Sequence, residues 1–236
     1  ECRRRSDFPW LSGSVMFDAC GVNSDDSLLS SEYPHGPPVH QPRVKNLLRI
    51  VFLSTCKLPA RFRQDPAFVY RCENLGHALQ ARGCEVAHDH VATWAWTREV
   101  DAVVVQRPRS SRRLRQMVDF LRSAGVCLVA DVDDLIFDEA YVEFSPAVRN
   151  GRALKPLVRR RFRQHRSAIG WFDQITVATT ALSEQAERSF PGVPVTVLHN
   201  AVHWDWRRKT APTTRHGTHD RTLVYLPGTQ THDRDF

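Results

Sequence analysis

Residues 126–138 read VCLVADVDDLIFD: an apolar run from Val126 to Ala130, then Asp131, Asp133 and Asp134 within four positions, then Asp138. A short apolar run that follows Gly125 and ends in carboxylates has the pattern of a strand buried on both faces. Like charges this close repel one another, so the cluster needs a partner or a task. It can be a metal site, a phosphoryl-transfer nucleophile, a catalytic base or the polar end of a buried strand. The neighbouring elements bear on the choice.

Working outward, the same strand-then-helix pattern recurs. Leu47–Ser54 is an apolar run of buried-strand type. Asp65-Pro66 supplies an N-cap and a first-turn proline, Phe68, Cys72, Leu75 and Leu79 keep a helical period, and Gly83 is placed to end the helix. Residues 84–90 and 101–106 read as further strands. Ser110 or Ser111 caps a helix with Leu114, Met117, Val118 and Leu121 on one face and Gly125 at its end. After the aspartates, Leu154, Val158, Phe162, His165 and Ile169 mark a longer helix whose other faces carry Arg159, Arg160, Arg161, Arg163 and Arg166. Residues 174–178, a helix from Thr180 and residues 195–198 complete six strands. Alternation of this kind predicts an α/β fold, a Rossmann-like parallel sheet with helices on both faces. Ligands of such sheets sit at the carboxyl ends of the strands, where the aspartates and His199-Asn200 fall.

Residues 1–46 lack periodicity and read as a poorly ordered leader; 47–202 is the Rossmann-like domain, 203–220 a polar linker, and 221–236 the first strand and loop of a second, truncated domain. The chain opens on a glutamate and stops shortly after a strand-like segment, so a fragment is expected.

Among 236 residues, 42% are hydrophobic, enough for a substantial core, and the net charge of +7 suits an anionic partner such as a nucleotide, a phosphate or an anionic membrane. No stretch approaches the ~20 apolar residues of a membrane span, and no signal peptide is visible. The six scattered cysteines form no CxxC pair, which favours reduced thiols in a cytoplasmic protein over a disulfide frame or zinc site. No basic–aromatic module points to nucleic acid.

Asp131-Val132-Asp133 has the spacing of the nucleophile motif in haloacid-dehalogenase-type phosphatases, which it resembles, with Mg²⁺ offsetting the charge. Leu135 and the three βα units before the motif depart from that family. The triplet also resembles the metal clamp of the other large glycosyltransferase fold. In a purely structural role, Asp131 and Asp134 would cap the strand-to-helix turn.

The order of segments resembles bacterial group-1 glycosyltransferases of the two-Rossmann-domain (GT-B) type. Four features carry the resemblance: the strand end Gln106-Arg107 followed by Gly125 and Asp131-Val132-Asp133-Asp134; Phe172–Leu182; Val195–Val202 with Asn200; and Gly228–Phe236. The resemblance implies the N-terminal, acceptor-side half of such an enzyme. That enzyme moves sugar from a nucleotide-sugar to a glycan or lipid-linked acceptor in surface polysaccharide synthesis, with no cofactor and no metal. It places Asp131, Asp133 and Asp134 at the cleft as candidate bases, Arg107 and Asn200 at the acceptor, and Gly228, Thr229 and His232 at the donor. Arg107 serves equally as an ion-pair partner of the aspartates. Trp94 and Trp96 stack on a sugar or simply pack. The arginine run either faces solvent or makes a peripheral contact with an anionic membrane at its inner face. A Mg²⁺-dependent phosphatase and a non-catalytic binding domain are the alternatives.

Overall fold

Six parallel strands form one sheet in the computed structural model, which describes residues 47–200. They are β1 (Arg49–Ser54), β2 (Glu85–His90), β3 (Ala102–Gln106), β4 (Cys127–Val132), β5 (Gln174–Val177) and β6 (Val195–Val197). The expected leader, linker and second-domain strand, with Gly228, Thr229 and His232, lie outside the described residues. The strand order is β2-β1-β3-β4-β5-β6, and every pair is parallel. This is the α/β, Rossmann-like arrangement that the alternation predicts. Strand order reverses between β1 and β3, which opens a crevice at their carboxyl ends.

The central strands β1, β3 and β4 are largely apolar on both faces because helices cover both. On one face Val51, Leu53, Val103, Val105, Leu128, Ala130 and Val132 pack against Leu114, Met117, Val118 and Leu121 of α3 (Arg112–Ser123). Burying each of those four side chains contributes roughly 1.5–3 kcal/mol. Ser111 caps α3 by accepting from the Leu114 N–H at 3.1 Å, and Gly125 ends it at φ +74°. Farther along the same face sit α5 (Lys155–Ile169), through Ala168 and Ile169, and α6 (Thr180–Ser189), through Ala186. Helix α6 starts at Thr180, as expected, with Thr179 capping it by accepting from the Leu182 N–H at 3.2 Å.

On the opposite face, His88 stacks on Phe52 at 5.5 Å and meets Phe68 edge-on at 6.0 Å. This brings α1 (Pro66–Phe68) and α2 (Asn74–Gln80) onto the sheet. Gly76 is the point of closest approach, since a Cβ there would lie 2.5 Å from His88 Nε2.

Two local features depart from the sequence pattern. The helix over Phe68–Leu79 is interrupted by a π-helical turn, Val69–Glu73, closed by the Asn74 N–H on the Val69 carbonyl. Strand β4 runs to Val132 rather than stopping at Ala130, which carries Asp131 inside the sheet. Both features shape the site. Beyond β4 the chain folds through a 3-10 helix (Glu139–Phe144) and α4 (Pro146–Arg149). Among the described residues no helix is long and apolar enough to cross a membrane.

Candidate functional site at the carboxyl edge of the sheet

Strand alternation places side chains that are partners in register on the same face. Register pairs His90 with Ser54, Gln106 with Asp131, Asp131 with Thr176, and Thr176 with Thr196. Ser54 lies one residue beyond the Leu53–Val105 pair. A polar row therefore crosses all six strands at their carboxyl ends, and Ser54, His90, Gln106, Asp131 and Thr176 are buried in it. The hydrophobic runs gave no sign of this row, because each strand contributes one polar residue to it.

Asp131 is the centre of the row. It is 3% exposed, and Arg71, at 4%, reaches it from the π-helical turn. Arg71 Nε donates to Asp131 Oδ2 at 3.1 Å and Nη2 to Oδ1 at 2.5 Å; the Thr176 hydroxyl donates to Oδ1 at 2.7 Å. The remaining Arg71 nitrogen donates to the Leu198 carbonyl and lies 3.4 Å from Asn200 Oδ1. Burial pushes the Asp131 carboxyl above its ordinary value, while Arg71 and Thr176 oppose that shift. Asp131 therefore lies inside the sheet with both carboxylate oxygens engaged, rather than open at the cleft edge. The same geometry disfavours Asp131 as a phosphoryl-transfer nucleophile, which needs an open oxygen. Asn200, expected at the acceptor, lies beside Arg71 at the end of the described chain.

Asp133 and Asp134 follow a different course. Arg107 grips Asp133 through two bonds, Nε to Oδ1 at 2.5 Å and Nη2 to Oδ2 at 2.7 Å, and its Nη2 also meets Asp134 Oδ2 at 2.5 Å. One guanidinium therefore offsets two carboxylates, which is how neighbouring aspartates coexist here. The Arg107 backbone has φ +47°, left-handed, while its N–H still bonds the Asp131 carbonyl at 2.7 Å. A bulky residue in that region costs roughly 1–2 kcal/mol. The Thr55 hydroxyl, from the loop after β1, donates to the Gln106 and Arg107 carbonyls at 3.1 and 2.9 Å, bracing the strained turn across the β1/β3 crevice. Pro108 is held as well: its carbonyl accepts from His165 Nδ1 of α5 at 2.8 Å. Burial drives the His165 pKa down to about 4, so the imidazole is neutral and donates. Asp138 caps the 3-10 helix that follows, accepting from the Ala140 N–H at 3.0 Å and from Gln185.

Asp134 opens onto a groove of about 330 Å³ walled by Ile136, Tyr141, Phe144, Pro146 and Phe162. Its side chain is 59% exposed against 10% for Asp133. Tyr141 and Phe144 stand 6.2 Å apart, and Phe144 is 67% exposed. The aromatic wall lies here, not at Trp94 and Trp96. Trp94 is in the core, and Trp96 packs on Phe120 beneath the Arg113 guanidinium.

Arg71, Thr176, Gln106 and the Tyr141–Phe144 wall were not singled out by sequence as site residues. A signal for Arg71 existed: it stands three residues after Phe68, on the apolar stripe, where a charge demands a partner. Gln106 Nε2 is buried without a hydrogen-bond partner among the described residues, directly beside Asp131 in register. Among the described residues no three His, Cys, Asp or Glu side chains converge as a metal site. Comparison with protein-family models, with curated proteins and with solved structures yields no match.

Proposed function

We propose that the chain is the acceptor-side half of a GT-B-type glycosyltransferase, moving a sugar from a nucleotide-sugar to a glycan or lipid-linked acceptor. The observation that carries this reading is an exposed carboxylate, Asp134, at the mouth of an aromatic-walled groove on the carboxyl edge of a parallel sheet. Aromatic faces stack on the apolar faces of sugar rings, and a carboxylate beside them receives a hydroxyl proton. In this reading Tyr141 and Phe144 hold the acceptor, Asp134 accepts a hydrogen bond from its hydroxyl, and Arg107 fixes Asp134 while neutralising Asp133. The departing nucleoside diphosphate needs electrostatic stabilisation. The proposal assigns that task to Gly228, Thr229 and His232. No observation favours the phosphatase alternative, since Asp131 is enclosed by Arg71 and Thr176.

As the acceptor-side half alone, the chain is expected to bind acceptor without completing transfer, so the test is calorimetric titration with a panel of octyl glycosides. Binding is expected, and Asp134→Asn should weaken it about tenfold. No binding of any glycoside, or Mg²⁺-dependent hydrolysis of p-nitrophenyl phosphate abolished by Asp131→Asn, overturns the reading.

A further inference from the structure

Helix α5 carries three faces with three different fates. Val158, Phe162 and Ile169 are buried. Arg163 and Arg159 turn to Glu139, at 2.9 and 3.9 Å, and Lys155 pairs with Glu143. The third face, Leu157, Arg160, Arg161 and Gln164, has the i, i+3, i+4, i+7 spacing of one helical stripe. Together with Arg109 it lines a second concavity of about 260 Å³. Among the described residues Arg109, Arg160 and Arg161 have neither a carboxylate nor a hydrogen-bond partner, although the same helix neutralises its other basic face.

The concavity is also held in shape. Arg109 lies between Pro108, whose carbonyl accepts from His165, and Ser110, whose N–H donates to the Gln164 carbonyl at 3.0 Å. The loop is therefore pinned on both sides of Arg109 to the helix that carries Arg160 and Arg161. Three arginines that line one hollow, with no acid among the described residues paired to them, have the chemistry of an anion site. Arginine forks match phosphate oxygens in particular. Leu157, 51% exposed, supplies an apolar wall for whatever carries the anion. The site is separate from Arg107, whose guanidinium is occupied by Asp133 and Asp134.

We infer that Arg109, Arg160 and Arg161 form a binding site for a phosphate or diphosphate group, borne by a small molecule or by a lipid headgroup. The inference stands apart from the sugar-transfer reading and requires phosphate binding whether or not the chain transfers sugar. Calorimetric titration with inorganic pyrophosphate tests the free-ligand form. Co-sedimentation with phosphatidylcholine vesicles, with and without phosphatidic acid, tests the headgroup form. Binding in either arm is expected to weaken about tenfold for each of Arg109→Gln, Arg160→Gln and Arg161→Gln. The charge-matched variants Arg159→Gln and Arg163→Gln, on the neutralised face, are expected to leave it unchanged, and circular dichroism checks that all five fold. Pyrophosphate binding identifies a soluble ligand, and binding only to phosphatidic acid vesicles identifies a headgroup. Absence of binding in both arms, or equal weakening by both sets of variants, overturns the proposal.

Discussion

At the scale of single residues, the buried pair Arg71–Asp131 decides how the aspartate cluster is to be read. Three carboxylates in four positions suggested one shared task, yet they divide between two arginines from different elements: Asp131 to Arg71, Asp133 and Asp134 to Arg107. Removing one member of a buried pair strands the other charge, so Asp131→Asn and Arg71→Met should each cost about 3–5 kcal/mol in urea unfolding. The double variant Arg71→Met/Asp131→Leu, which leaves no charge behind, should recover most of that loss. Single variants within ~1 kcal/mol of the parent would mean that the pair is not buried as described. The position of Asp131 at a strand end was legible from the sequence, because the apolar run before it is unambiguous. Its burial was not, because that depends on Arg71, sixty residues away and turned inward by a π-helical turn. Such a turn has no sequence pattern of its own, whereas Ser111, Asp65 and Gly125 carry their capping chemistry locally and were readable.

Among the elements, α5 does more than cover the sheet. Through His165 and the Gln164 carbonyl it holds the loop that follows β3, and hence both Arg107 and Arg109. The helical period put His165 among core positions, and its neighbours explain why it is uncharged. Burial lowers its pKa from 6.5 to about 4, with Arg109 and Arg107 repelling the proton further. His88, half-buried against Phe52, is lowered as well by desolvation. A depressed histidine contributes stability that is complete above its unfolded pKa. That contribution is lost as pH falls, because the unfolded chain binds the proton first. Stability should therefore decline through the window from 6.5 down to about 4, with His165 accounting for on the order of 3 kcal/mol of the loss. Urea midpoints measured across that window check it. His165→Gln, which keeps a donor for the Pro108 carbonyl but does not titrate, should flatten part of the decline. An acid limb of unchanged slope in that variant would exclude the histidine as its source. The short 3-10 helix and α4, which wall the groove, were not legible, since elements of four to six residues do not establish a period.

For the molecule as a whole, the parallel sheet was readable from alternating strands and helices, but its strand order was not. The reversal between β1 and β3 depends on which face each crossover takes, and that is set by packing across the sheet. Among the described residues this order leaves β6 as an edge strand of three half-buried residues, paired with β5 alone. Two contacts continue its attachment beyond Val197: the Leu198 N–H on the Val177 carbonyl at 2.8 Å, and the Leu198 carbonyl on Arg71. Arg71 therefore ties the last strand to β4 and to the first helical segment, joining parts of the sheet that share no direct strand pairing. Edge strands with little burial open locally before the core does. In native-state hydrogen exchange, residues 195–198 should exchange fastest among the six strands, and β3 and β4, buried and central, slowest. Arg71→Met should then accelerate exchange at 195–198 more than at β2, the other edge, whose residues pair with β1 and make no contact with Arg71 in register. If both edges accelerate equally, Arg71 contributes only to global stability and does not latch β6 to the sheet.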